Sequence, residues 1–223
     1  MMRKLHDHHQ EQTGTWSEKK DTLLKIIMMD APVVYSFVGT CIMLYLLSAT
    51  FVPGLAEELA IHDRFQENVW NTPCSYVNLV SHILVHSNWK HLQVNMVYLL
   101  LIGPSIEQKV GSKMMLRIIV LVDVCSAFTH LAVGTEGTYQ LGASGVVIAC
   151  LLLGCIVNTT PSQEKVPLSI YLVAFVCIWN QVMDVTRRPI EDKSFEEISH
   201  HAHVSGGIVA ILIGCYIYQQ SRP

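Results

Sequence analysis

A chain of 223 residues that is 51% hydrophobic and 15% charged, with a mean hydropathy of +0.36, is too apolar for an ordinary soluble domain of its length. A net charge of −3 with no Lys/Arg-rich block argues against a nucleic-acid partner, because phosphate binding needs clustered cations. The composition predicts a membrane protein whose first partner is the lipid bilayer.

In chain order, residues 1–30 are polar, with neither a short apolar core nor a small-residue cleavage site, and read as a cytoplasmic N-terminal segment rather than a secretory signal. Residues 31–52 carry no charge over 22 positions, enough to cross a hydrocarbon core of ~30 Å at ~1.5 Å per residue. Further apolar segments run from Trp89 to Ile106, Ile118 to Val133, Leu141 to Val157, Val166 to Met183 and His203 to Tyr218. The expected architecture is an all-α membrane protein, a compact bundle of six transmembrane helices over residues 31–219, with a short tail at 220–223. Seven cysteines are an odd number; all but Cys74 lie in apolar runs without CxxC spacing, so no disulfide framework is implied. With the N-terminus inside, ten Lys/Arg fall on the inner face and five on the outer, which predicts that both termini are cytoplasmic.

The informative residues are the polar interruptions: Asn95, Asp123, His130, Ser144 and His203. In this topology the second, fourth and sixth spans all run inward from the outer face. Counting from Asn95, Ser144 and His203 to the inner ends of their spans gives roughly 20, 22 and 25 Å of helix, so the three share one layer below the outer surface.

Ser144 lies between Gly142 and Gly145 in QLGASGVVIA, at the start of the fourth span. A hydroxyl at a helix N-terminus sits beside free backbone N–H groups, so one site can hold a nucleophile and an oxyanion donor. Taken alone, this serine would read as a helix cap beside packing glycines. The sixth span begins HHAHVSGGIVAILIG, in which Gly206, Ala210 and Gly214 form a small-residue stripe that admits a partner backbone, with His203 one turn before it on the same face. Close packing of the two spans would bring His203 to Ser144 as a general base. Asn95 offers an NH₂ donor to a tetrahedral oxyanion, joined by His91 one turn earlier. His82 and His86 read as scaffold residues bonded to loop backbone. Asp123 and His130 read as buried structural groups. A metal held by His82, His86 and His203 is the alternative, but it leaves Gly142–Gly145 and Asn95 unexplained.

The chain resembles the rhomboid intramembrane serine proteases. His82, His86, His91 and Asn95 form an HxxxHxxxxHxxxN pattern followed by Gly103, Glu107 and Gly111-Ser112; Gly142 to Gly145 form GxSG; and Ala202-His203 with Gly206 and Ala210 form the final motif. The resemblance implies Ser144 as nucleophile, His203 as base, and His91, Asn95 and the Ser144 N–H as oxyanion hole. It further implies single-pass transmembrane proteins as substrates and no cofactor or metal. Two positions depart from the pattern. Asn78 stands where an Arg is expected in the first outer loop, which predicts altered loop packing, and Ile148 stands where a Tyr is expected to stack on the catalytic histidine. With Ser144 and His203 both retained, the reading is an active enzyme; the alternative is a weak or inactive rhomboid-like protein that binds or escorts membrane clients. The charged stretch 184–199 immediately precedes the sixth span and reads as either a lid over the site or an ordinary solvated connection. The chain's compactness suggests a bacterial inner membrane, and the sequence sets no oligomeric state.

Overall fold

The computed structural model describes residues 30–62, 73–134, 137–157 and 200–220, together with Leu168, Leu172, Phe175, Val176 and Trp179. In chain order these form α1 (Pro32–Thr50), α2 (Leu55–Glu58), β1 (Ile61–His62), α3 (Pro73–Ser81), α4 (Trp89–Val110), α5 (Ser112–Val133), β2 (Tyr139–Gln140), α6 (Ser144–Val157) and α7 (His200–Gln220). The expected fifth span lies outside the described residues apart from those five positions, and the charged stretch 184–199 lies wholly outside them.

Among the described helices, α1 and α5 are long and apolar enough to cross a bilayer, and α6 and α7 carry the shorter apolar stretches Ser144–Ile156 and Ala202–Ile217. Helix α5 begins six residues before the expected Ile118. Lys113 and Arg117 hid that first turn from a hydropathy reading, but they face outward, while Met115, Ile118, Ile119 and Val122 carry one buried face through it.

The distribution of polarity is inverted relative to a soluble bundle. Met43, Leu46, Leu101, Phe128, Ile208 and Leu212 are exposed, whereas His82, Asn95, Glu107, Asp123, Ser126 and His203 are buried. A lipid solvent selects this pattern, because it tolerates an apolar exterior and forces polar groups to find partners inside. Helix α6 sits at the centre and packs against α7, α4 and α5.

Glu107, near the C-terminal end of α4, ties α1 into this arrangement. Helix α1 has Pro at its first turn and no side-chain cap from Ala31, so its leading N–H groups need an outside acceptor. The Glu107 carboxyl group supplies it: Oε1 accepts from Val33 N–H at 3.1 Å and Oε2 from Val34 N–H at 2.9 Å. A carboxylate also suits the positive end of a helix dipole. One turn earlier Gly103 makes room for α1, since a Cβ there would lie 3.0 Å from both methyls of Val34. Glu107→Ala leaves two helix-end donors unpaired and is expected to cost about 2–3 kcal/mol, read as a lower unfolding midpoint in detergent, with Glu107→Gln milder.

Strands β1 and β2 pair antiparallel with Ile61 opposite Gln140 and His62 opposite Tyr139, joining the segment after α2 to the segment before α6. Helix α3 is held from below: Asn78 Nδ2 donates to the Glu58 carbonyl at 2.9 Å and Ser81 Oγ to the Leu59 carbonyl at 3.0 Å. Asn78, standing where an Arg is expected, is buried and takes a donor's place in the loop. The sequence carries no expectation for α2, α3 or the ribbon, since each is short and held by contacts distant in the chain.

Candidate functional site

The segment Leu141-Gly142-Ala143-Ser144 enters α6 through a turn that only glycine makes cheaply. Gly142 has φ of +105°. Its missing side chain leaves room for the His91 ring, because a Cβ on Gly142 would lie 2.6 Å from His91 Cε1 and 2.8 Å from Nε2. Val147 N–H donates to the Ala143 carbonyl at 3.0 Å, so the helix takes hold at Ala143. The N–H groups of Ser144, Gly145 and Val146 therefore have no carbonyl four residues back within α6. Ser144 itself is half-buried.

Helices α6 and α7 meet backbone to backbone. A Cβ on Gly206 would fall on the Gly145 carbonyl oxygen and lie 2.9 Å from its carbon. A Cβ on Gly145 would lie 2.9 Å from the Ala202 carbonyl oxygen. Further along, Gly214 faces Ile156, whose Cδ1 would be 2.8 Å from an added Cβ. The stripe Gly206, Ala210, Gly214 thus faces α6. Ser144 precedes Gly145, and His203, buried, follows Ala202, so each is one residue from this contact.

Helix α4 supplies the third wall. Asn88 caps it, its side-chain oxygen accepting from His91 N–H at 2.9 Å, which fixes the helix start and puts His91 and Asn95 one turn apart. The His91 ring rests on Gly142, its Nδ1 lies 3.3 Å from Ser87 Oγ, and it meets His86 edge to face with centroids 5.1 Å apart. Asn95 is buried, and its Nδ2 has no hydrogen-bond acceptor among the described residues. A donor left open in this way costs stability unless something else accepts from it, and an oxyanion is such an acceptor.

His82 and His86 hold the approach to Ser144. The His82 carbonyl accepts from Gly142 N–H at 2.8 Å, and His86 Nε2 accepts from Ala143 N–H at 3.4 Å. The His82 ring reaches the Asn78 carbonyl through Nδ1 at 3.1 Å and Ser126 Oγ through Nε2 at 3.1 Å. Both imidazoles lie in the turn ahead of α4. Burial pushes His82 down to about 4, and burial with the neighbouring His91 pushes His86 down to about 3. Each ring is thus neutral in the fold, while in the unfolded chain each takes a proton near the ordinary value of 6.5. The unfolded chain binds more protons in that window, so this stabilisation is complete above about pH 6.5 and is lost as pH falls toward 4 and then 3. Unfolding midpoints in detergent are expected to drop between about pH 7 and pH 4, and replacing either histidine with Gln should flatten the drop.

Sequence reasoning missed Ser126, which sits three residues after Asp123 on the same face of α5 and lies against His82. The spacing Asp123, Ser126, His130 marks one polar helical face and was available as a signal. Among the described residues no group of three or more His, Cys, Asp or Glu side chains is placed to hold a metal ion.

Comparison with known proteins matches the Rhomboid domain to residues 73–220 of the chain. The chain is also similar to Rhomboid-like protein 11, chloroplastic, of Arabidopsis thaliana, at 23% identity over 150 residues covering 64% of this chain and 52% of that protein. It therefore spans about half the length of that curated relative. The match takes in α3 to α7 and every motif discussed above, on a helical scaffold with a lipid-suited exterior, and so the chain belongs to the rhomboid family of membrane-embedded proteins.

Proposed function

We propose that the protein is an intramembrane serine endopeptidase that cuts single-pass transmembrane substrates within or near their membrane segment. The observation that carries this reading is the backbone contact of α6 and α7 at Gly145, Ala202 and Gly206, with Ser144 next to Gly145 and His203 next to Ala202 in the chain. Ser144 Oγ attacks the scissile carbonyl carbon while His203 takes its proton. The carbonyl oxygen gains the charge, and Asn95 Nδ2, His91 and the Ser144 N–H stabilise it as oxyanion hole. His203 then passes the proton to the leaving amine, and water, deprotonated by the same ring, releases the acyl group. Gly142, Gly145 and Gly206 support this by letting the His91 ring and the α7 backbone approach. The mechanism requires no cofactor or metal.

The membrane domain in this reading is a six-span bundle over residues 31–219, with the segment 1–30 and the tail 220–223 both cytoplasmic. The sequence expectation of a bacterial inner membrane and the word chloroplastic in the relative's name point to different bilayers. Fractionation of the native cell decides between them.

A second reading takes its support from the relative's description as rhomboid-like and from Ile148 in place of an aromatic ring. In it the chain binds or escorts membrane clients without cutting them. Labelling with a fluorophosphonate probe separates the two. The protease reading expects labelling that disappears in Ser144→Ala, together with cleavage of a membrane-spanning test protein. Absence of both in the wild-type chain sinks it and leaves the escort reading.

A further inference from the structure

Asp123 and Ser126 take no part in the mechanism above, yet both are buried on one face of a largely apolar helix and both lie against the ring of His82. Ser126 Oγ lies 3.1 Å from His82 Nε2 and donates to the Asp123 carbonyl at 3.0 Å. Asp123 Oδ1 lies 3.3 Å from His82 Nδ1 and has no hydrogen-bond partner among the described residues. The Nδ1–H is given to the Asn78 carbonyl, so in the neutral ring Nε2 is an acceptor, and the hydroxyl hydrogen of Ser126 is shared between it and the Asp123 carbonyl. Helix α5 therefore holds the ring at Nε2 through Ser126, with Asp123 Oδ1 lying beside Nδ1.

The other end of the same residue reaches the site. The His82 carbonyl accepts from Gly142 N–H, and His86, one turn on, accepts from Ala143 N–H. The two peptides before Ser144 thus hang on the 82–86 turn, and the turn hangs on α5 through the His82 ring. With those two amides committed, the next N–H in line is that of Ser144, whose direction follows from how the preceding peptides are held.

We propose that Ser126 and Asp123 are positioning residues: through the His82 ring they fix the turn that holds Gly142 and Ala143, and so aim the Ser144 N–H at the developing oxyanion. The kinetic part of this inference rests on the protease reading; the geometric part does not.

The test uses the full chain in detergent, as wild type, Ser126→Ala, Asp123→Asn and the control Thr129→Val. Thr129 is one turn from Ser126 on α5 and bonds to the Cys125 carbonyl and Ser205 rather than to His82. Amide hydrogen exchange is followed for a peptide spanning Gly142 and Ala143, beside kcat and KM on a membrane-spanning test substrate. Ser126→Ala is expected to speed exchange at Gly142 and Ala143 about ten-fold or more, which Thr129→Val does not. The same variant is expected to lower kcat about ten-fold or more with KM nearly unchanged, the signature of an interaction made only in the transition state. Asp123→Asn should follow in the same direction. Unchanged exchange at Gly142 and Ala143 overturns the proposal even where Ser144 labels normally. Equal acceleration along the whole chain in both Ser126→Ala and Thr129→Val also overturns it, since that is general loosening. Faster local exchange in a wild-type background that never labels at Ser144 overturns the protease reading and the kinetic claim, while the brace itself stands.

Discussion

On the endopeptidase reading, Ser144→Ala is expected to abolish fluorophosphonate labelling and to lower cleavage of a membrane-spanning test protein by at least about 10³-fold, with the chain still folded. The fold tolerates the change because the first turn of α6 closes on the Ala143 carbonyl, not on the serine hydroxyl. On that reading the loss is chemical, since without Oγ nothing forms the acyl bond. His203→Ala is expected to give a loss of similar size, and the double variant little more than either alone, because nucleophile and base act as a unit. Labelling gels and single-turnover cleavage on matched, folded preparations measure both. Labelling that persists in Ser144→Ala would assign the nucleophile elsewhere.

Gly206→Ala is expected to be nearly as damaging, although it alters no reacting group. The new methyl falls on the Gly145 carbonyl oxygen, and backbone cannot yield as a side chain can. Helices α6 and α7 must part, carrying Ser144 and His203 with them. A shift of about 1 Å can cost on the order of 10²-fold in rate, and forcing a packed interface apart costs about 1–3 kcal/mol. The neighbouring glycine is the control. A Cβ on Gly207 meets Leu152 Cδ1 at 3.5 Å, an ordinary contact, so Gly207→Ala should keep its rate within about two-fold. Equal activity of the two alanine variants would show that the contact at Gly206 does not set the dyad.

The sequence made the long elements legible and left the short ones hidden. The uncharged run 31–52 announces α1, and the polar residues Ser144, His203 and Asn95 stand out against an apolar background, although each alone has a bland reading as a cap, an interfacial ring or a packing group. Family membership came from motifs spread over α4, α6 and α7, each weak alone. What stayed unread depends on contacts between residues far apart in the chain. Ala143 reaches His86 across 57 positions, and Val34 reaches Glu107 across 73. Nothing local in either sequence encodes such a bond. Helix α3 and the two-residue ribbon fail for the same reason, since their stability is borrowed from neighbours. Ser126 differs: its helical spacing from Asp123 was in view, but a serine in a membrane helix is common enough to pass as packing.

The cap that Glu107 places on α1 has a consequence for synthesis. The ribosome makes Val34 first and adds 73 further residues before that carboxyl group exists. At about 5–20 residues per second, roughly 4–15 s separate the two. During that interval α1 has no acceptor from α4 for its leading amides, and whatever holds it in a bilayer must be its own apolarity. Its partner helix arrives later and latches a segment already in place. Insertion and assembly are thus separate events for this helix, and a chain lacking Glu107 should still thread α1 through the translocon while failing to fasten it afterwards.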